Sequence, residues 1–569
     1  MADINHQNSL ADPAFLASLI RTARGQQKAD LVLKNCAYLN VFTGQWLKGD
    51  IAVCGDTIAG IGEYAGETEI DASRLTCVPG FIDGHIHLES AMLTPLEFAR
   101  AVLPHGTTAV IADPHEIANV MGAAGIDYML RATEALPLTV YFMVPSCVPA
   151  SPQDENGAVL QAPTVAEYLR HPRVLGLGEM MDYPGVLTTS PDTLEKIAAA
   201  HAQCKQADGH APGLSGRALQ AYISTGITTD HESTTAAEAM EKLRLGQWVM
   251  VREGTAGRNL AALLPLFSPP WFHRCLLVTD DKLPADLTRL GHIDHMVRKA
   301  IKLGADPATA YTMASFHAAQ CFHLTRLGAL APNYQADFLL LSDVNEVSIH
   351  SVYKAGKRVV SPDGTASLPT PADSSFALGE IRTGEVTEAS FQLTRGRVIG
   401  LVPGELLTTD EGYADSVDTT RDIVKLAAIE RHRGTGHMGL SYLTGYGLKN
   451  GAVALSVAHD AHNLIAAGAN DADMALAISR IKELRGGIVV AAQGQILAEL
   501  PLPIAGLMSP LPAQEVVTAL NHLMDAARSL GVSPAIDPFM TLSFLSLSVI
   551  PALRLTTLGV TDVAKFTAE

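Results

Sequence analysis

The middle of the chain, residues 80–325, alternates short apolar segments with longer amphipathic stretches. Short apolar segments punctuated by Gly and Asp are typical of buried strands, and the longer stretches are typical of helices that cover a parallel sheet. The candidate strands are residues 77–87, 107–113, 138–144, 174–179, 207–210, 227–231, 248–253 and 275–280. Eight strands in β–α alternation predict an α/β fold, a (β/α)8 barrel of the TIM type.

Shorter apolar pieces on both sides of this segment have the pattern of β strands. They lie within residues 28–79 and 336–360, and two such pieces around one long insertion predict a single small β domain. A Pro-, Ser- and Asp-rich linker at 361–375 separates this part from a further α/β domain. The predicted units are 1–79, the N-terminal segment and first part of the β domain; 80–325, the barrel; 326–365, the second part of the β domain; and 376–569, the C-terminal domain.

Charge and cysteine usage narrow the class of protein. The formal net charge is −18 and no basic stripe occurs, so the chain lacks the electrostatic pattern of a nucleic-acid binder. The seven cysteines form no Cys-X-X-Cys pair, as expected for free thiols in a reducing compartment. We see no signal peptide and no apolar run long enough to span a membrane. These features predict a cytoplasmic protein, and we expect a homo-oligomer, a dimer by first guess.

Polar side chains that can bind metals follow the candidate strands at their C-terminal ends, where barrel active sites lie. A lone His-X-His is more often surface or core than a ligand pair, and a lone acid at a strand end often caps the next helix. Six such groups without partners in one barrel mouth would cost several kcal/mol each. Divalent cations are the simplest compensation, and oxygen and nitrogen ligands suit Zn²⁺, Mn²⁺ or Fe²⁺. The six residues are His85, His87, Glu179, His210, His231 and Asp280.

The motifs around these residues resemble a known family. "PGFIDGHIHLES" is similar to the segment that opens the barrel of the amidohydrolase superfamily. Further motifs resemble the adenine deaminase family, whose members carry an extra C-terminal domain: "ADPHEIANVMG", "GLGEMM", "DGHAPGLSG", "TDHEST", "VREGTAGRN" and "VTDDKLPADLTRLGHIDHMVRKAI". The resemblance covers nearly the whole chain. It implies hydrolysis of adenine to hypoxanthine and ammonia by hydroxide activated at a centre of two divalent ions, Mn²⁺ or Fe²⁺ in preference to Zn²⁺.

The same resemblance implies roles for the six residues. His85, His87 and Asp280 would hold one ion, His210 and His231 the other, and Glu179 would bridge them, where many relatives use a carbamylated lysine. Single-metal deaminases carry a Glu three residues after the strand-5 histidine, but Gly213 stands there in this chain. Asp280 is therefore the best candidate for the proton shuttle. Strand alternation predicts that the neighbouring Asp281 points away from the barrel axis.

Other residues near the strand ends are candidates for substrate binding. His115 and Glu116 follow strand 2 and either begin a helix or form a substrate loop that bonds to a purine edge. Glu89, with Ser90, follows the His-X-His and is placed to orient ligands. The predicted substrate contacts are His115, Glu116, Glu89, Arg252 and Glu253. In the last domain, three histidines are candidates either for another metal site or for packing roles: His437, His459 and His462.

Three alternatives remain open on the sequence. A cyclic amidohydrolase usually has a bridging lysine, so Glu179 counts against it, whereas an amino-sugar deacetylase can use a glutamate there. From a different class, the chain could be a non-catalytic metal-binding barrel. Such a barrel would lack one or more ligands, and all six are present here.

Overall fold

The computed structural model describes residues 9–151, 154–255, 257–370, 375–403, 405–563 and 567–568. An N-terminal helix, Pro13–Ala23, begins where the Asp12 carboxylate accepts the Ala14 N–H at 2.9 Å and proline occupies the first helical position. None of the helices in these ranges is both long and apolar enough to cross a lipid bilayer.

The small β domain is built from both sides of the barrel, as predicted. Its strands are Ala29–Asn40, Gln45–Cys54, Thr57–Gly62, Gly66–Asp71 and Thr76–Pro79 before the barrel, and Phe338–Asp343, Ser348–Lys354 and Lys357–Val360 after it. The two parts are joined by antiparallel pairing of Phe338–Asp343 with Thr76–Pro79. Alternating apolar residues from both parts, such as Leu33 and Phe338, share one buried core.

Eight parallel strands form the barrel, which confirms the predicted fold. They are β1 (Phe81–Ile86), β2 (Thr107–Ala112), β3 (Thr139–Val144), β4 (Val174–Met180), β5 (Gln206–Gly209), β6 (Thr229–Asp230), β7 (Trp248–Arg252) and β8 (Cys275–Val278). Strands β1–β5 and β6–β8 pair in sequence order. Single bridges, Ala207 to Ile227 and Ile86 to Asp280, close the ring. Every residue of β1 and β2 is buried, as expected for parallel strands covered on both faces.

One predicted strand is divided in the structure. Residues 77–87 were expected to form a single barrel strand, but Thr76–Pro79 belongs to the β domain and β1 begins at Phe81. The division falls at Gly80, where a Cβ atom would lie 2.3 Å from Thr108 Oγ1. Glycine therefore allows the chain to pass close to β2 as it leaves one sheet for the other.

Helices follow the barrel strands and cover them. Their bounds are Pro95–Val102, His115–Met121, Ala123–Ala132, Ala162–Tyr168, Tyr183–Thr188, Pro191–Ala202, Gly216–Ser224, Ala236–Arg244, Leu260–Leu263, Pro284–Leu290, Ile293–Lys302, Pro307–Met313 and Phe316–Cys321. Several begin at a proline. Proline suits the first helical position because the N–H that it lacks would have no acceptor within the helix.

The C-terminal domain is mixed α/β with a largely antiparallel sheet. In spatial order the eight strands are Thr408–Ala414, Gly396–Leu401, Met438–Thr444, Val424–Ile429, Leu464–Gly468, Ala452–Leu455, Gly487–Ala492 and Gln495–Pro501. Its helices are Asp471–Leu484, Ala513–Ser529 and Pro538–Ser543, and a small sheet contains Leu553–Thr556, Gly559–Asp562 and Thr567–Ala568. Apolar residues of the first helix pack against the large sheet.

This domain packs against the barrel beside the mouth. The Ser509 N–H donates to the Met92 carbonyl at 2.9 Å, and the Ala513 N–H donates to Glu97 Oε2 at 3.2 Å. Met92 lies five residues after His87, at the C-terminal end of β1. The C-terminal domain therefore reaches the face of the barrel on which the predicted ligands lie.

Candidate metal centre and active site

Glu179, near the end of β4, lies at the centre of the predicted ligands. Its Oε2 atom is 2.7 Å from His210 Nδ1 and 3.2 Å from His231 Nε2. Its Oε1 atom is 3.3 Å from His87 Nε2 and 3.9 Å from His85 Nε2. The two oxygens of one carboxylate therefore face the two histidine pairs, which is the arrangement that a bridging ligand requires.

Asp280 completes the group on the β1 side. Its Oδ1 atom is 3.0 Å from His87 Nε2 and 3.7 Å from His85 Nε2. All six predicted ligands thus come together, with ligand atoms of His85, His87 and Asp280 within 4.8 Å of one another. Parallel strands bring them together because their C-terminal ends share one edge of the barrel.

A hydrogen bond behind His87 fixes which of its nitrogens faces the carboxylates. His87 Nδ1 is 2.9 Å from the Asp113 carbonyl oxygen, which can only accept, so Nδ1 carries a proton and Nε2 is the nitrogen that faces Glu179 and Asp280. His85 Nδ1 lies 3.5 Å from Asp208 Oδ2, and His85 Nε2 is buried with no hydrogen-bond partner in the described part of the chain. A neutral His87 would therefore direct its Nε2 lone pair at carboxylate oxygens, which is an unfavourable contact.

A divalent cation would bind both the ring nitrogens and the facing carboxylate oxygens, and it would stabilise them better than added protons. The His85 and His231 rings stack with centroids 4.2 Å apart, so charging both would bring like charges together in a buried site. Burial raises the pKa of Glu179, but the surrounding imidazoles outweigh it and leave that pKa well below its usual value. Anionic carboxylates among neutral imidazoles are a donor set that fits divalent metal ions.

Arg252 and Glu232 extend the site on the β8 side. Arg252 was predicted to contact substrate, and the structure places its Nη1 atom 2.7 Å from Asp280 Oδ2 and in an ion pair with Glu232. Burial raises the pKa of Asp280, but Arg252 and His87 lower it well below its usual value. Glu232 was not predicted from the sequence, although it directly follows His231, and its Oε1 atom is 3.4 Å from His231 Nε2.

His115 lies inside the cluster of predicted ligands. It begins the helix after β2, and its buried Nδ1 atom is 3.4 Å from Glu179 Oε1. That nitrogen has no hydrogen-bond partner among the described residues. The structure therefore places His115 beside Glu179 and His87, within the group of side chains that could hold a metal ion.

Three of the acids predicted to contact substrate are held by protein groups. Glu116 accepts from His459 Nδ1 at 2.7 Å and from His462 Nε2, so both of its oxygens face the C-terminal domain instead of a free purine edge. Glu89 Oε1 accepts the Ile117 N–H at 3.1 Å, and burial raises the pKa of Glu89 to about 7. Glu253 Oε1 pairs with Lys299 Nζ at 2.5 Å.

The strand alternation from which Asp281 was predicted to point away from the barrel axis does not hold at this position. Strand β8 ends at Val278, and Asp280 has a positive φ of 58°, so the alternation of a regular strand does not extend to this pair. The Asp281 carboxylate accepts a hydrogen bond from Ser90 Oγ at 2.5 Å. The side chains of Ser90 and Asp281 line a largely apolar cavity between the barrel and the C-terminal domain.

The fold and the donor set together define a class of protein. A (β/α)8 barrel with two histidine pairs, a central glutamate and an aspartate at its strand ends has the architecture of a metal-dependent hydrolase. Residues 76–359 match the amidohydrolase family, and residues 405–567 match the adenine deaminase C-terminal domain.

Curated relatives give the finer classification. The chain is 48% identical over 562 residues to adenine deaminase 2 from Carboxydothermus hydrogenoformans, covering 97% of this chain and 98% of that protein. It is 46% identical to adenine deaminase from Nitratidesulfovibrio vulgaris strain Hildenborough, covering 97% and 98%, and 44% identical to that from Bacillus pumilus, covering 98% and 99%. The chain belongs to the adenine deaminase family, which confirms the resemblance found in its motifs.

Proposed function

We propose that this protein catalyses the hydrolytic deamination of adenine to hypoxanthine and ammonia. The observation that carries the proposal is the position of Glu179, whose Oε1 atom faces His87 at 3.3 Å and whose Oε2 atom faces His210 at 2.7 Å. One carboxylate between two donor groups suits hydrolysis at a centre of about two ions. The identity of the substrate is inferred from the relatives, which are named adenine deaminase.

We infer that the centre uses Mn²⁺ or Fe²⁺ in preference to Zn²⁺. His85, His87 and Asp280 would hold one ion, and His210 and His231 the other, with Glu179 shared. Such ions supply an activated water by lowering its pKa toward neutrality. Side chains of this protein would carry out the proton transfers and hold the substrate.

Asp280 is the proposed proton carrier. Its pKa lies below the usual value, so the carboxylate is ionised and can accept a proton when water attacks C6 of adenine. Arg252, 2.7 Å from Oδ2, holds the carboxylate in place. Asp280 then delivers the proton to the purine ring or to the leaving amine, so that water and adenine yield hypoxanthine and ammonia.

The cavity beside Asp281 is the proposed entrance for the purine. Ser90 and Asp281 provide polar groups on the barrel side, and His459 and Phe544 provide stacked rings, 4.5 Å apart, on the other. A flat, largely apolar base with a polar edge suits such walls. Because the C-terminal domain closes this side, a ribose attached to the base would have to displace it.

The substrate assignment is tested by ammonia release from protein supplemented with Mn²⁺. We expect turnover of adenine and far lower kcat/KM for adenosine. Dihydroorotate and an N-acetyl amino sugar represent the two other hydrolase classes, and neither should be consumed. Comparable kcat/KM for adenine and adenosine would refute the free-base assignment, and turnover of dihydroorotate alone would replace it with the cyclic amidohydrolase reaction.

Two further expectations concern the protein as a whole. We expect a cytoplasmic homodimer that acts on a small purine without nucleic-acid or membrane partners. Light scattering on the purified protein tests the dimer, since a monomeric mass at micromolar concentration would contradict it.

A further inference from the structure

A buried carboxylate beside the metal centre is held by the C-terminal domain. Glu116 lies in the first turn of the helix His115–Met121. One of its oxygens is 2.7 Å from His459 Nδ1, and the other accepts from His462 Nε2. All three side chains are buried, and Glu116 is 346 residues from His462 in sequence. The contact therefore links the barrel to a distant domain.

The protonation of His462 is fixed by its other ring nitrogen. The backbone N–H of Ala458 lies 3.2 Å from His462 Nδ1 and can only donate, so Nδ1 carries no proton and Nε2–H of the neutral ring points at Glu116. A metal ion bound by Nε2 would require removal of that last proton. The Glu116 cluster is therefore satisfied by hydrogen bonds, although its three residue types could hold a metal.

The oxygen of Glu116 that His459 contacts also lies near the active site. This Oε1 atom is 3.5 Å from His115 Nε2, and His115 Nδ1 is 3.4 Å from Glu179 Oε1. Carboxylate and imidazole groups thus form a continuous line from the C-terminal domain to the proposed bridging ligand. His115 Nδ1 has no hydrogen-bond partner within the described residues, and Asp113 Oδ1 lies 3.8 Å from it, so Glu116 at the other end of the ring is one of the groups that can orient it.

We propose that His459 and His462 are positioning residues of the active site, which hold Glu116 and, through it, set His115 against Glu179. The C-terminal domain then completes the catalytic site in addition to covering it. This inference rests on the proposed deaminase activity, because its consequence is measured as turnover. If His459 and His462 no longer donated to it, the buried Glu116 carboxylate would have to move toward another partner. His115 would then lose its fixed orientation.

His462 provides the sharper test because His459 also lines the cavity. In the full-length, Mn²⁺-loaded protein, we expect His462→Ala to lower kcat for adenine by about 10- to 100-fold, the range for residues that orient ligands. KM should change by less than about threefold, because the lost contact does not touch substrate. Metal content should stay at the wild-type value. His462→Gln, which keeps an N–H donor, should recover part of the loss.

A double-mutant cycle separates positioning from mere packing. If His462 acts through Glu116, the kcat of Glu116→Gln/His462→Ala should be within about threefold of the lower single variant. The matched control is His437→Ala, because His437 Nδ1 also contacts a barrel carboxylate, Glu155 Oε1, at 2.8 Å across the same interface. Its kcat should equal that of the wild type.

The outcomes distinguish this inference from the proposed function. No ammonia release from adenine by the wild-type protein would overturn the proposed function. An active wild type with unchanged kcat in His462→Ala, or multiplicative losses in the cycle, would overturn the positioning role alone. Loss of one equivalent of metal in His462→Ala would show instead that the Glu116 cluster is a metal site. If His462→Ala does not fold, Glu116→Gln still decides, because it removes the charged acceptor of both histidines, and wild-type kcat in that variant overturns the role.

Discussion

Two buried clusters in this molecule, around Glu179 and around Glu116, consist of the same residue types. In the first, His87 donates from Nδ1 to a carbonyl oxygen, so its Nε2 atom faces carboxylates. In the second, His462 accepts at Nδ1 from a backbone N–H, so its Nε2 proton faces Glu116. The first cluster is a donor set that suits divalent cations, and the second is satisfied by hydrogen bonds. The hydrogen bond on the far side of the ring decides which role a histidine takes.

Removal of metal should have the largest effect and should break the first cluster only. The purified protein should contain about two divalent ions per chain, and dialysis against a chelator should abolish ammonia release, because generation of the attacking hydroxide depends on them. Elemental analysis and the activity assay check this together, and addition of Mn²⁺ should restore turnover. A metal-free preparation with full activity would end the account.

Replacement of the central glutamate of each cluster, Glu179 or Glu116, should show that only the first cluster binds metal. Glu179→Gln should lower the occupancy of both ions, because one carboxylate serves both, and should reduce kcat by at least roughly 100-fold. Glu116→Gln is the matched control in the second cluster and should keep the full metal content. If Glu179→Gln retains both ions and wild-type turnover, Glu179 is not the bridge.

The two neighbouring aspartates should differ by a smaller margin. Asp280→Asn should lower kcat by about 10²–10⁴-fold while some metal remains, because the amide oxygen can still coordinate but cannot take up a proton at neutral pH. Asp281→Asn keeps an acceptor for Ser90, and its effect should be at most about tenfold and mainly on KM. Steady-state kinetics with adenine measure both. A dead Asp281→Asn with an active Asp280→Asn would move the proton carrier to Asp281.

The ligands of the first cluster are predictable from sequence because local rules position them. Parallel strands present their C-terminal ends at one mouth, and residues two apart, such as His85 and His87, project from β1 toward the same site. Even β6, reduced to Thr229–Asp230, still delivers His231, because the barrel closes around it. Short strands with weak propensity are therefore located by the repeat of the fold.

The remaining features depend on contacts that no local rule contains. The contact of Asp281 with Ser90 lies beyond the end of β8, where Asp280 has a left-handed φ of 58° and strand alternation no longer applies. The pairing of Glu116 with His459 and His462 depends on how the C-terminal domain docks. The sequence "SVAHDAHN" marked these two histidines for metal binding or packing, and the structure shows hydrogen bonding to a barrel carboxylate.

Anomalous diffraction from crystals of the Mn²⁺-loaded protein tests the central claim most directly, since it locates the ions without relying on activity. About two manganese peaks are expected. Both should lie within the ring of His85, His87, Glu179, His210, His231 and Asp280, with no peak between Glu116 and His462. A peak of equal height at Glu116, or no peak beside Glu179, would contradict it.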